Sequence, residues 1–272
     1  MKLVATVLGS GSSGGVPRIG NHWGACDPKE PKNRRRRCSL LIEQFDPAEP
    51  HHKTSVLIDT SPDMREQLLD AQVDWVDAVL YTHDHADQCH GIDDLRMLAI
   101  NRRRRVDVWM DEPTSKSLIA RFGYCFIQPP GSSYPPILNE HRIEGPGAAI
   151  RVEGAGGPMD ILPFDVDHGS IRALGFRVGP LAYCADCVDV PDESFRLLDG
   201  IESWIVDALR YTPHPTHAHV DLALEWLKRA SVAHGVLTNL HVDLDYRTLK
   251  GELPEGVEPA YDGMRVEFDV ST

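Results

Sequence analysis

The run VLYTHDHADQCHGIDDLR, from Val79 to Arg96, restricts the possible folds of this chain more than any other stretch. The apolar segment Ala78 to Tyr81 reads as a short buried strand that stops at Thr82, and five of the next six residues are polar or ionisable. His83, His85 and Asp87 are spaced by two, so an extended segment projects all three to one side. Two imidazoles and a carboxylate at a strand end have the ligand types and spacing of a metal site.

The same placement recurs downstream. His168 follows the strand-like ILPFDVD, Asp186 follows LAYCA, and His241 follows a strand running through Thr238 and Asn239. Loops at strand ends can converge on one rim of a sheet sandwich. A lone His or Asp in such a place is more often structural than a ligand, but this recurrence, taken with the His83 run, reverses that balance.

Strand patterns cover Lys2 to Leu8, Cys38 to Gln44, Ser55 to Asp59 and Val106 to Met110 in the first half. In the second half they cover Ile161 to Asp167, Ala173 to Val178, Leu181 to Cys184, Ser203 to Ala208, Val232 to Leu237 and Met264 to Val270. Helices are expected after Ser61, with Ser61 as N-cap and Pro62 in the first helical position. Others are expected over Pro113 to Phe122, Asp192 to Leu198, His219 to Ala230 and Tyr246 to Lys250. The Pro- and Gly-rich segment 123–157 is too long for a simple connection and has the character of a lid or binding loop. This pattern suits an α+β fold, two packed sheets with helices on their outer faces.

The sequence GSGSSG at residues 9–14 formally matches a dinucleotide-binding fingerprint, which needs a helix opening at the glycines. Gly15, Pro17 and Gly20 break any such helix. The loop can still present backbone N–H groups to an anion, with Ser12 and Ser13 facing the substrate.

A formal net charge of −13 over 272 residues argues against a surface built to hold a long nucleic acid. Basic residues nonetheless cluster at Arg34 to Arg37 and at Arg102 to Arg105, as a solvated face or as local attraction for a phosphate group. No signal peptide and no apolar run of about 18 residues is present. Six scattered cysteines in a chain of this size fit a reduced, cytoplasmic protein. The Cys184 and Cys187 pair lacks the partner pair that a zinc site needs.

The order His-x-His-x-Asp, then His, Asp and His, resembles the metallo-β-lactamase superfamily of binuclear metallohydrolases, and the resemblance runs over essentially the whole chain. It implies a four-layer αββα sandwich, one domain over residues 1–272 and two divalent metal ions, Zn²⁺ or Mn²⁺. Carried over by position, His83, His85 and His168 hold the first ion. Asp87 and His241 hold the second, and Asp186 bridges them. The superfamily has a His directly after the Asp; here Gln88 stands there, with His90 two places later.

GSGSSGGVPRIG, NRRRRCSLLIE, LIDTSPDMREQ and TNLHVDLDY are most similar to the phosphodiesterase branch, which includes phosphoribosyl 1,2-cyclic phosphate phosphodiesterases and, more distantly, ribonuclease Z. The resemblance implies hydrolysis of a small nucleotide-like or cyclic phosphate ester, with Asp87, Asp186 and His219 catalytic; His219 best matches the family's His that contacts the phosphate, and His217, second, is a substrate-binding residue. His22, with Trp23, is placed to meet a base or ribose. A structural zinc held by cysteines after the glycine loop is not expected, because only Cys26 stands there. The Gly/Pro-rich segment 123–157 has few basic residues, so a tRNA-binding arm and stable nucleic-acid binding are not expected. Ribonuclease Z-like tRNA processing and non-catalytic metal binding are the alternatives. A homodimer fits the family, although no sequence feature specifies it.

Overall fold

The computed structural model describes residues 1–270. Its strands form two seven-stranded sheets. In the first, β1 (Lys2–Gly9), β2 (Ser39–Phe45) and β3 (Lys53–Ile58) are antiparallel, and β4 (Ala78–Leu80), β5 (Val106–Met110) and β6 (Leu138–Arg142) add in parallel. In the second, β7 (Ile150–Val152), β8 (Met159–His168), β9 (Ile171–Val178) and β10 (Leu181–Cys184) are antiparallel. There β11 (Ser203–Asp207), β12 (His234–Thr238) and β13 (Val257–Pro259) continue in parallel. The last strand, β14 (Arg265–Asp269), returns to the first sheet and pairs with β1.

Strand alternation builds the layers. Leu40, Ile42, Val56, Ile58, Ala78 and Leu80 meet Ile161, Phe176, Tyr183, Ile205 and Val236 in the core between the sheets. The alternate residues Leu41, Leu57, Val79 and Tyr81 face outward, against α1 (Met64–Asp70), α2 (Ala86–Cys89), α3 (Leu95–Arg102) and α4 (Glu112–Phe126). On the far side Ala182, Trp204, Val206 and Leu237 pack under α5 (Asp192–Leu197), α6 (Val220–Arg229) and α7 (Tyr246–Glu252). This is the expected αββα sandwich.

Parallel pairing fixes where the site lies. Within each sheet the parallel strands end together, and ligands bind outside the carboxyl ends of such strands. Asp59 and Thr82 follow β3 and β4; Asp186, Asp207 and Asn239 stand at the ends of β10, β11 and β12.

Three expectations need correction. Ser61 is not the cap of α1: Asp63 is, and the Ser61 hydroxyl accepts the Asp63 N–H at 3.1 Å and donates to Gln67 Oε1 at 2.8 Å, closing the turn ahead of the helix. Segment 123–157 is not a lid. It finishes α4 and supplies β6 and β7, the edge strands of the two sheets, so its length serves the crossover between them. Asp87 does not share an extended segment with His83 and His85, because α2 begins at Ala86 and a helical turn carries the carboxylate.

Trp204 is fully buried between Phe195 and Trp226, with ring centroids 6.0 and 6.5 Å away, and its indole N–H has no acceptor. Trp204→Ala should destabilise the protein by about 3–5 kcal/mol in urea unfolding. Trp204→Phe should cost much less, since it fills most of the space and removes an unpaired polar group.

Candidate metal centre

His83 follows β4, and its ring orientation is set from behind. Asp59, fully buried with a left-handed φ of 63°, accepts the Thr82 N–H and the Thr82 hydroxyl, both at 2.8 Å. Burial pushes the Asp59 carboxyl up to about 8, while the two Thr82 bonds pull it down. A cation at His83 would also favour its ionised form. With Asp59 ionised, the single proton of the Thr82 hydroxyl is committed to it. His83 Nδ1, 2.9 Å from that hydroxyl, must then donate, which leaves Nε2 bare. His83 Nε2 is buried and has no partner.

His168, at the end of β8, is fixed in the same way: its Nδ1 donates to the Thr216 carbonyl at 2.7 Å, and its Nε2 lies 3.3 Å from His85 Nδ1. One ring nitrogen from each of His83, His85 and His168 falls within 4.8 Å of the others. Burial lowers His83 and His168, the latter to about 4, so both stay neutral at neutral pH. Neutral imidazoles with the second nitrogen tied to an acceptor are metal ligands in their working tautomer. With an orphaned buried nitrogen among them, these residues fit a divalent ion.

Asp186 stands beside this triad. Its Oδ2 accepts the Gln88 amide at 2.5 Å, and its Oδ1 accepts the Asn239 amide at 3.1 Å. Asn239 is at a left-handed φ of 60°, and its amide also donates to Asp207 Oδ1 at 3.0 Å. His217 Nδ1 donates to Asp207 Oδ2 at 2.9 Å and lies 3.4 Å from Asp186 Oδ1. Burial alone would lower the His217 imidazole, but the Asp207 bond and the nearby carboxylates outweigh it and raise it to about 9. Burial pushes the Asp186 and Asp207 carboxyls up, and the imidazolium opposes this in both. A nitrogen of His217 also lies within 4.8 Å of His168 and Asp186 ligand atoms. With Nδ1 spent on Asp207, however, its chemistry is that of a proton donor.

Of these groups His85, His168, Asp186, Asn239 and His217 line a cavity of about 560 Å³ together with Ser12, Ser13, Asp87 and His241, while His83 is buried behind it. Arg18 and Arg210 complete its wall, and neither has a carboxylate within 4 Å among the described residues. The Arg18 stem lies along Gly14, where a Cβ would come within 3.3 Å of its Cγ and Nε, and its guanidinium reaches His241 Nε2. His241 Nδ1 is 2.8 Å from Asp243 Oδ2 but not aligned with it as a hydrogen bond. A larger depression of about 690 Å³ lies at the amino ends of β3 and β4. Its charges pair with one another or with neighbours (Lys53 with Glu43, Arg102 with Asp74, Arg104 with Asp107), and it holds no comparable ligand set.

The structure thus brings together His83, His85, Asp87, His168, Asp186, His217, His241, Ser12 and Ser13. It leaves out His219, which caps α6 and whose backbone bridges to Arg210; the residues facing the cavity from this loop are His214, Thr216 and His217. His22 is exposed on a tight hairpin with Arg18 and does not line the cavity. His90 packs edge-on against Phe122, away from the site, so Gln88 alone occupies the place of the missing His. Neither arginine run faces the cavity: Arg36 and Arg37 pair with Asp70 and Asp63, and Arg35 is buried. Asp207, Asn239, Asp59, Arg18 and Arg210 were not anticipated. Asp207 and Asn239 carry the same strand-end placement as the ligands, a usable signal. Arg18 carried none.

Residues 54–239 match the family model described as the beta-lactamase superfamily domain. A protein of Porphyromonas gingivalis (strain ATCC BAA-308 / W83) named octanoyltransferase is 32% identical over 268 residues, 97% of this chain and 51% of that protein. The chain therefore spans about half the length of that curated relative. Among solved structures, a diphosphatase from the PhnP family is 35% identical with a TM-score of 0.86, over 98% of each chain. Zn²⁺-bound PqqB from Methylobacterium extorquens shares the fold at 17% identity and TM-score 0.67, over 97% of this chain and 99% of that one. The short form of human tRNase Z does so at 15% and 0.63, over 97% and 98%.

In Asp59→Asn the amide nitrogen donates to the Thr82 hydroxyl, which must then donate to His83 Nδ1 and move the ring proton to Nε2. Affinity for the ion at the histidine triad, read by titration against a chelator, should fall about 10–100-fold.

Proposed function

This chain belongs to the beta-lactamase superfamily and is a metal-dependent hydrolase of that fold, and from this premise we propose that it is a phosphodiesterase acting on a small nucleotide-like or cyclic phosphate ester. One observation carries the reading: His217, its Nδ1 held by Asp207, stands beside the His83, His85 and His168 triad, its ring centroid 4.7 Å from that of His168. Hydrolysis of a diester needs a place for an activated water and a proton for the departing oxygen, and the two features supply these needs separately.

The proposed cofactors are two divalent ions, Zn²⁺ or Mn²⁺. His83, His85 and His168 would hold one, Asp87 and His241 the other, with Asp186 between. When bound, such ions lower the pKa of a water and draw charge from phosphoryl oxygens. Asp87 and Asp186 act in catalysis as ligands. Gln88 directs its amide nitrogen at Asp186, leaving Oε1 buried without a partner and available only as a weak neutral donor to a cation. The oxygen-rich second position therefore favours a harder ion such as Mn²⁺.

The chain's own groups do the rest. Arg18 and Arg210 offer unpaired guanidinium charge at the cavity wall, suited to an anionic ester. Ser12 and Ser13 present hydroxyls and backbone beside them. His217 gives its proton to the leaving oxygen, in the role first expected of His219. An acyl-transfer role is not proposed, because the octanoyltransferase name belongs to a protein of which this chain spans about half.

The purified protein loaded with Mn²⁺ or Zn²⁺ should hydrolyse bis(p-nitrophenyl) phosphate, and Asp186→Ala should abolish this. Fully metallated protein that cleaves no diester would instead be a metal-binding protein without this activity.

His217 should matter by leaving group. p-Nitrophenolate departs without a proton, whereas an alkoxide does not. His217→Asn should lower kcat roughly 10²-fold for an alkyl leaving group and far less for p-nitrophenyl. The folded imidazole titrates at about 9, so activity on the alkyl diester is sustained below that pH and lost as pH rises through it. Arg18→Ala should raise KM about tenfold with little change in kcat, the loss of one charge-assisted hydrogen bond to the substrate.

A further inference from the structure

The rim carrying His241 is stitched from backbone segments far apart in sequence. Leu240 N–H donates to the Ser10 carbonyl at 2.8 Å, Gly11 N–H to Arg36 at 2.8 Å, and Val16 and Arg35 exchange bonds at 2.9 Å in both directions. The loop beginning at Trp23 packs beneath. There Ala25 N–H donates to the Val242 carbonyl at 2.9 Å, and the Cys26 thiol faces the Val242 and Leu244 carbonyls, each at 3.4 Å. Gly24, at φ +60°, lies so close that a Cβ would stand 2.5 Å from the Val242 oxygen.

Between these layers sits Arg35, only 2% exposed. Its Nη2 donates to Asn33 Oδ1 at 3.2 Å, and its Nη1 to the His241 carbonyl at 3.4 Å and weakly toward Cys26 Sγ at 3.9 Å. Its Nε has no partner, and no carboxylate lies within 4 Å of the guanidinium among the described residues. Its surroundings include the small apolar cluster of Val16, Cys26, Val242 and Trp23. A buried cation without a counter-ion carries a large desolvation penalty, and replacing such a group by an apolar side chain of similar volume is often neutral or stabilising. Stability alone gives no reason for arginine here.

Geometry does. The His241 peptide is gripped on both sides: its N–H donates to the Leu209 carbonyl at 3.0 Å, and its carbonyl accepts the Leu244 N–H at 3.1 Å and, from the other loop, Arg35 at 3.4 Å. Only a long planar fork spans from Asn33 in one loop to His241 in the other. We propose that Arg35 is a positioning residue for the second metal ion, holding the His241 main chain so that its imidazole faces Asp87 and Asp186. This inference rests on the two-ion reading above.

The test is calorimetric titration of the chelated, full-length protein with Mn²⁺, together with Tm. Arg35→Met should unfold at the wild-type Tm or higher, bind the tighter ion as wild type does, and bind the second at least tenfold more weakly. Wild-type affinity for both ions in Arg35→Met, at whatever Tm, overturns the inference. If Arg35→Met does not fold, Arg35→Lys decides. It keeps the charge but carries all its N–H donors on one nitrogen and cannot span both partners, so it too should lose affinity for the second ion only, and wild-type binding there overturns the proposal. Wild-type protein that takes up a single ion would refute the two-ion reading itself, and the role of Arg35 with it.

Discussion

The two sheets meet chemically at the carboxylate of Asp186. It is buried, and a buried charge is tolerated only when its lone pairs are engaged. The engagement comes from three places: Gln88 from α2 after the first sheet, Asn239 from the end of β12, and His217 from the loop that follows β11. Gln88 and Asn239 donate to it, while His217, its Nδ1 proton on Asp207, stands 3.4 Å away as a charge. Each is positioned by a different strand end, so the carboxylate can be satisfied only when both sheets present their parallel ends on the same rim. The packing between the sheets is thus a precondition for the site, and the site in turn gives Asn239 a reason to hold a left-handed backbone.

Local patterning made the architecture legible. Alternation in LIDT and in LAYC, with a polar residue at each strand end, led to the two sheets and to most of the His and Asp residues that the structure brings together on the rim. Pairing was harder to read. β13 and β7 are three residues each, the former with a proline at its end, and β6, though five residues long, is polar throughout after Leu138 and lies inside a Pro- and Gly-rich stretch, so none shows the pattern that marks a strand. They exist because a neighbouring strand end supplies partners. Two candidate histidines also sat within one short segment, PTHAH. Only the turn that places Ala218 against Leu209 and Cys187 decides that His217 looks inward and His219 does not. Arg18 was invisible for a related reason, since its direction depends on a bare Gly14 four residues earlier.

Several choices here run against stability. Asp59 and Asn239 are non-glycine residues at positive φ, and Asp59 and Arg35 bury ionisable groups with little or no opposing charge. Each lies one contact behind a residue of the site: Asp59 behind Thr82 and His83, Asn239 on Asp186 and Asp207, Arg35 on the His241 carbonyl. Local conflicts of this kind are expected where function dictates the residue. Trp204, far from the rim, shows the contrast, with its bulk fully used in packing.

The cavity is also ordered in charge. His83 is buried and neutral behind it, and His168, which burial keeps neutral, lines it. Asp186 and Asp87 line it as well, His217 stands between His168 and Asp186, and the guanidinium groups of Arg18 and Arg210 are on the same wall. A cation is stabilised by the neutral imidazoles and the carboxylates, an anion by the two guanidinium groups, and a bound phosphate ester would lie between them. The same ordering explains why an acidic chain can hold an anion. The net charge is spread over the surface, where salt screens it, while the field inside a small cavity is set by the few unpaired groups that line it.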